Sequence, residues 1–232
     1  MDFGLWISDF KSLARCGSLK SEIRNPKIEF SMSRSHKLPQ SFYSRPTLEV
    51  ASNLLGKVLL RRNEGRDLAG KIVETEAYVG PHDLACHASK GHTPRTSVMF
   101  GPPGHAYVYM IYGFYFCLNV VTEPKGYPAA VLVRAVEPLE NVDLMRQLRN
   151  NPQRETNIAS GPGKVCMAMS IDKRLNGESL FGATIWIEDR KIDPGPIRTS
   201  PRVGVDYAGE YRDKPWRFFV EGNPHVSRVR FK

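Results

Sequence analysis

The chain has 232 residues, 41% of them hydrophobic and 25% charged, which lies near globular averages and excludes a mostly disordered, collagenous or fibrous polymer. With 33 Lys and Arg against 24 Asp and Glu the net charge is +9, and the excess is not confined to a tail, since residues 38–232 alone carry 26 basic and 20 acidic side chains. Charge of this sign and size in a chain of ordinary composition is the footprint of a protein that meets a polyanion, to be weighed against a plain solvated basic surface.

Residues 1–38 mix Ser, Lys and Arg with isolated apolar residues and hold no sustained period, so they read as a poorly ordered extension and a candidate targeting segment. Asp2, Asp9, Glu22 and Glu29 count against an acidic-poor transit peptide, and no apolar core marks a secretory signal. Residues 39–232 then show no repeat, heptad stretch or linker, which predicts one domain. Leu48, Ala51, Leu54 and Leu55 recur at helical spacing behind Pro46, so residues 46–55 read as a short helix ended by Gly56. Apolar runs at 57–62 and 68–76 flank a turn and predict a β-hairpin. A second, aromatic-rich hairpin is predicted from 106–111 and 114–121 around Tyr112-Gly113. Further strands are expected at 128–137, 184–188 and 216–221, and helices at 142–149 and 163–169, the latter with Ser160 as a candidate cap. Strands in hairpins outnumber helices, which predicts an α+β fold with a mostly antiparallel sheet flanked by helices.

Several features are set aside. Residues 96–122 carry no Asp, Glu, Lys or Arg, but the best apolar run there is 16 residues with four tyrosines, short of the ~20 a membrane span needs. Gly65 to Lys71 has the glycine and lysine spacing of a phosphate-binding loop, yet Ile72 stands where Ser or Thr is required and the stretch lies at a hairpin turn. Cys16, Cys86, Cys117 and Cys166 show neither CxxC pairing nor metal-ligand spacing, which predicts a reducing compartment. His82, His87 and His92 recur every five residues, on neither one helix face nor one strand face, so no metal is expected there.

Two constellations remain. Period-2 alternation through residues 73–78 puts Glu74, Glu76 and Tyr78 on one face at a strand end, either a solvent-facing polar row or a paired-carboxylate site. Tyr107, Tyr109, Tyr112 and Tyr115, with Phe114 and Phe116, load both faces of the second hairpin with rings, more than one core layer needs. Aromatic rings beside a carboxylate on a basic protein suit the reading of unstacked bases; the alternative is an aromatic-packed core.

The ordered motifs Leu-Gly-Lys-Val-Leu (55–59), Val-Glu-Thr-Glu-Ala-Tyr (73–78), His87, Thr-Pro-Arg (93–95), Tyr-Val-Tyr-Met-Ile-Tyr-Gly (107–113), Phe-Cys-Leu-Asn (116–119), Leu-Val-Arg-Ala-Val-Glu-Pro-Leu (132–139), Ser-Gly-Pro-Gly-Lys (160–164) and Arg-Val-Gly-Val (202–205) resemble the alkyladenine (3-methyladenine) DNA glycosylase family, in its eukaryotic N-methylpurine form. The resemblance spans roughly residues 40–228 and implies a formyltransferase C-terminal-domain-like fold. It implies a monofunctional enzyme that flips alkylated or deaminated purines out of duplex DNA and hydrolyses the N-glycosidic bond, starting base excision repair. By the same resemblance Glu76 is the base that activates water, held with Arg134 and the Val203 carbonyl. Tyr78, His87 and Tyr109 sandwich the flipped base, Asn119 rejects the 2-amino group of normal guanine, and Tyr112 wedges into the minor groove. Arg95, Lys164 and Arg202 are candidate backbone contacts. No lysine stands at the matched catalytic position, so no lyase step is expected. The implied partners are damaged double-stranded DNA and a downstream abasic-site endonuclease; the implied state is a monomer in the nucleus, or in chloroplast or mitochondrion through residues 1–38, with no cofactor. A binding module that has lost catalysis and a fold-related transferase are the competing classes.

Overall fold

A computed structural model describes residues 37–228. The longest strand, β2 (Arg66–Tyr78), organises the rest. It is joined to β1 (Val58–Asn63) by Glu64-Gly65, both at positive φ (49° and 79°). Left-handed backbone at both loop residues matches the twist of the flanking strands, so the turn is two residues long rather than the five anticipated. The aromatic hairpin pairs β3 (Ala106–Ile111) with β4 (Tyr115–Thr122), and its tip is again left-handed at Tyr112 and Gly113. β5 (Ala129–Glu140), β6 (Ile185–Glu188), β7 (Ile197–Ser200) and β8 (Arg217–Val220) complete an eight-stranded sheet in the order β3-β4-β5-β2-β1-β6, every pair antiparallel.

One edge of β2 is shared. Its first half (66–71) pairs with β1 and its second half (74–76) with β8, which in turn carries β7. The switch coincides with two bulges against β5. The register steps from Ile72↔Val136 to Glu74↔Ala135 and then to Thr75↔Val133, so Val73 and Arg134 are each skipped. A bulge re-aims the side chain it carries. Here that side chain is Arg134, and the consequence is the site described below.

The helices are short: α1 (Gln40–Tyr43), α2 (Thr47–Asn53), α3 (Val142–Leu148) and α4 (Pro162–Ala168). Residues from α2, α3 and α4 join the inward face of β2, β4 and β5 in one buried apolar cluster that includes Val50, Leu54, Ile72, Leu118, Val133, Met145 and Val165. At roughly 1.5–3 kcal/mol per fully buried aliphatic side chain, this layer holds the sheet against its helices. The described residues form one α+β architecture with an antiparallel sheet, the fold class the hairpin pattern predicted.

Local departures have local causes. Pro46 caps α2 instead of entering its first turn, because its own ψ is extended. Gly161 rather than Ser160 caps α4; Ser160 is engaged in a β-bridge to Ala135. The elements α1 and β7 were not anticipated: β6 and β8 are equally short but carry apolar runs, whereas β7 (Ile-Arg-Thr-Ser) is exposed with one apolar residue and α1 (Gln-Ser-Phe-Tyr) is a single turn. The extension of residues 1–38 lies outside the described residues except for Lys37 and Leu38. Leu38 is buried in the core cluster, and the Lys37 ammonium lies 4.8 Å from the Trp186 ring centroid. Among the described residues no helix is long and apolar enough to cross a membrane.

Candidate active site

Beyond the Val73 bulge β2 alternates regularly. Thr75 and Ala77 face the core, the former donating to the Ala51 carbonyl (2.8 Å), while Glu74, Glu76 and Tyr78 share the other face. That face is not a solvated row, because both carboxylates are wholly inaccessible to solvent (0%). Buried charges require partners. The bulged Arg134 supplies them by lying between the two, its Nε 2.9 Å from Glu74 Oε1 and its Nη1 3.2 Å from Glu76 Oε1.

The two carboxylates are nevertheless held differently. Glu74 accepts from Arg134 Nε, Arg217 Nε (2.7 Å), the Ser227 N–H (2.7 Å) and the Ser227 hydroxyl (2.8 Å). Burial alone would raise its pKa, but Arg134 and Arg217 outweigh burial and hold the group below the ordinary carboxylate range. Glu76 Oε1 accepts from the Val203 N–H (2.7 Å) and faces Arg134, whereas Oε2 accepts one bond, from the Tyr78 hydroxyl (3.0 Å). Val203 therefore meets Glu76 through its N–H, a contact the sequence did not suggest, in addition to the carbonyl expected to hold the water.

Three groups that hold Glu76, those of Tyr78, Arg134 and Val203, line a cavity of about 340 Å³, within the range of small-molecule sites; the buried Glu76 carboxylate lies behind them and does not itself line it. Tyr78, His87, Tyr109, Asn119, Arg134 and Val203 all line it, and Tyr112 stands at its rim. These residues come from β2, the loop after it, the β3–β4 hairpin, β5 and the loop before β8, separated by up to 125 residues, from Tyr78 to Val203. The His87 and Tyr109 rings meet edge to face, 4.5 Å between centroids. Tyr107, which was not anticipated as a wall, bonds His87 Nδ1 through its hydroxyl (2.9 Å) and so fixes the imidazole plane. Burial, with Arg95 and Lys90 nearby, lowers the His87 pKa to about 4, so the ring is neutral at physiological pH. Asn119, opposite Tyr107 in the hairpin register, donates to the Tyr107 carbonyl (3.2 Å) and is buried. Cys117 also lines the cavity, its thiol pushed up to about 11 by burial and therefore protonated.

Tyr112 is 82% exposed at the hairpin tip, flanked by exposed Met110 and Phe114. A tyrosine at positive φ is strained relative to glycine, and here the strain projects a ring away from the protein. Of the three basic residues expected at a nucleic-acid backbone, Arg95 is exposed and lies over the Tyr109 ring (5.4 Å). Lys164 is half-buried on α4, close to Asn157 and Ser160. Arg202 does not fit that expectation: its side chain is fully buried against Asp83, so it cannot reach a phosphate. Among the described residues no group of three His, Cys, Asp or Glu side chains could hold a metal ion. Glu74 and its partners Arg217 and Ser227 were also unassigned, for 143 and 153 residues separate them and no short motif spans that distance.

Residues 41–224 match the family model described as methylpurine-DNA glycosylase. A protein of Methanocella arvoryzae, provisionally named 3-methyladenine DNA glycosylase, is 55% identical over 196 residues, covering 82% of this chain and 96% of its own. Provisionally named 3-methyladenine DNA glycosylases of Alkaliphilus oremlandii and Legionella pneumophila (strain Corby) are 48% and 46% identical, each covering 83% of this chain and 99% of its own. A buried carboxylate behind an aromatic cavity, on this sheet and in this family, defines a hydrolase of N-glycosyl bonds. The chain belongs to the methylpurine-DNA glycosylase family and is a DNA glycosylase.

Proposed function

We propose that the protein is a monofunctional glycosylase that releases alkylated and deaminated purines, namely 3-methyladenine, 7-methylguanine, hypoxanthine and ethenoadenine, from double-stranded DNA. The observation that carries this reading is the asymmetry of Glu76. Its Oε1 is filled by the Val203 N–H and Arg134, while its Oε2 takes a single donor and keeps a lone pair for water. In the proposed step that water gives its proton to Glu76 and bonds to the sugar C1′. The C1′–N bond breaks and its electron pair leaves with the base. The transition state is oxocarbenium-like, so the carboxylate opposite it also stabilises the developing positive charge.

The target nucleotide enters the cavity flipped, between Tyr78 on one side and His87 with Tyr109 on the other, where stacking contributes about 1–3 kcal/mol per base and tolerates many purines. Ring faces attract cationic alkylpurines. Asn119, pinned to the Tyr107 carbonyl, excludes the 2-amino group of normal guanine. Tyr112 fills the gap left in the duplex and offsets part of the few kcal/mol of unstacking. Among the described residues no lysine lines the cavity, which supports release of an intact abasic site for a downstream endonuclease to consume. The protein acts as a monomer of the eukaryotic N-methylpurine type. Its placement is the nucleus, with chloroplast or mitochondrion the alternative through residues 1–38; imaging tagged chains with and without that segment decides between them.

The test is single-turnover release of hypoxanthine from a duplex holding one deoxyinosine, without metal, by the parent and Glu76→Gln. Release by the parent and none by a variant that still binds is expected. If neither releases hypoxanthine or 3-methyladenine while both bind the lesion duplex, the chain is a binding module.

A further inference from the structure

Behind the Tyr78 wall lies an ion pair that the chemistry above does not use. Asp83 and Arg202 are 119 residues apart, and both side chains are completely buried. The Arg202 guanidinium grips both Asp83 oxygens, with Nη2 2.8 Å from Oδ1 and Nη1 on Oδ2. Nη1 also donates to the Ala77 carbonyl (2.9 Å) and Nη2 to the Tyr211 carbonyl (3.3 Å). The same guanidinium lies 4.8 Å from the Tyr78 ring centroid and 5.0 Å from that of Trp216. Asp83 accepts from the Val79 N–H (3.1 Å) and the Ala85 N–H (3.0 Å), which ties down the loop that carries His87. The residue after Arg202 is Val203, whose N–H holds Glu76 (2.7 Å).

One fork therefore touches the end of β2, the His87 loop, the Tyr78 ring and the strand of backbone that orients the catalytic carboxylate. A buried ion pair is weak evidence for stability, because desolvation offsets most of the attraction and an apolar pair of equal volume often serves as well. What an apolar pair cannot do is aim several backbone groups and a ring at once, which a planar guanidinium does.

We propose, on the strength of the glycosylase reading above, that Asp83 and Arg202 are the positioning pair of the base pocket. They set the Tyr78 wall and the Val203 N–H on Glu76, and the positive charge beside the Tyr78 ring moderates that ring's attraction for cationic bases. Loss of the fork then slows base release far more than it weakens the grip on the duplex. Loss of the charge shifts preference towards cationic lesions, since a like charge no longer opposes them across the ring.

The test compares the parent with Arg202→Met, which removes charge and fork, and Arg202→Lys, which keeps the charge and loses the fork. Folding is followed by near-ultraviolet circular dichroism. Three quantities are read: single-turnover release of hypoxanthine, the ratio of 7-methylguanine to hypoxanthine release, and affinity for a duplex holding a tetrahydrofuran abasic analogue. Both variants are expected to lose at least about tenfold in release with abasic-duplex affinity held within about twofold. The release ratio is expected to rise about threefold or more in Arg202→Met and to stay at the parent value in Arg202→Lys. Equal losses in release and affinity, no loss of release, or the same ratio in both variants overturns the proposal. Should Arg202→Met not fold, Arg202→Lys and Asp83→Asn carry the same comparison of release against affinity. Should the parent release no base, the glycosylase reading falls, and the fluorescence change of an ethenoadenine duplex on binding replaces the rate. A smaller change in the variants then supports the positioning pair and an unaltered one overturns it.

Discussion

Glu74 and Glu76 are two residues apart on one face, equally buried and both beside Arg134, yet neutralising them should have opposite effects. In Glu74→Gln, Oε1 still meets Arg134 Nε, Arg217 Nε and the Ser227 hydroxyl, but the new amide takes the place of Oε2 and faces the Ser227 N–H, donor against donor. Arg217 loses its carboxylate partner and stays buried. Breaking a buried ion pair by removing one partner costs about 3–5 kcal/mol, which for a chain of this length lowers the melting temperature by about 6–20 °C. In Glu76→Gln the amide oxygen keeps the Val203 N–H, the amide nitrogen donates to the Tyr78 oxygen, the Tyr78 O–H must turn towards the cavity it lines, and Arg134 retains Glu74. Stability should stay within about 1 kcal/mol of the parent, while base release falls by about 10²–10⁴, the range for losing a general base. Urea unfolding followed by circular dichroism, and single-turnover release from a deoxyinosine duplex, measure the two effects. The reasoning is refuted if Glu76→Gln loses as much stability as Glu74→Gln, or if Glu74→Gln unfolds at the parent's urea concentration.

Other expectations are more local. Tyr112→Ala removes a ring that is 82% exposed, so stability should move by less than about 0.5 kcal/mol, while release from duplex DNA falls and release from a single strand does not. The His87 ring should titrate near pH 4 by NMR; its folded value lies below the unfolded one, so the stability it governs is intact above about pH 6.5 and declines as pH falls towards 4. A midpoint above pH 6 would mean that the imidazole is not held as described. Arg95→Ala should reduce the slope of log affinity against log salt by about 0.9 if Arg95 meets one phosphate, whereas the slope of Arg202→Lys should equal the parent's.

Much of the sheet was legible because its signals are local. Period-2 alternation marked residues 73–78, and paired apolar runs around turn residues marked both hairpins. The ring cluster between Tyr107 and Phe116 was visible in the same way, as was the carboxylate row whose last member, Tyr78, became a cavity wall. The elements α1 and β7 were not, for α1 is a single turn and β7 lacks the apolar run that marked the equally short β6 and β8.

What the amino-acid order determined by itself is therefore the set of strands, the face on which each side chain falls, and the residue types available for chemistry. Burial and pairing were decided only in three dimensions. A row of Glu74, Glu76 and Tyr78 reads the same whether water or Arg134 faces it, and the bulge that inserts Arg134 exists only once β5 is laid against β2. Arg202 reads as a surface cation until Asp83, Tyr78 and Trp216 close around it. Alternation is a property of neighbouring residues along one strand, whereas the partner of a buried charge comes from wherever the fold brings the chain back, here 60 to 153 residues away.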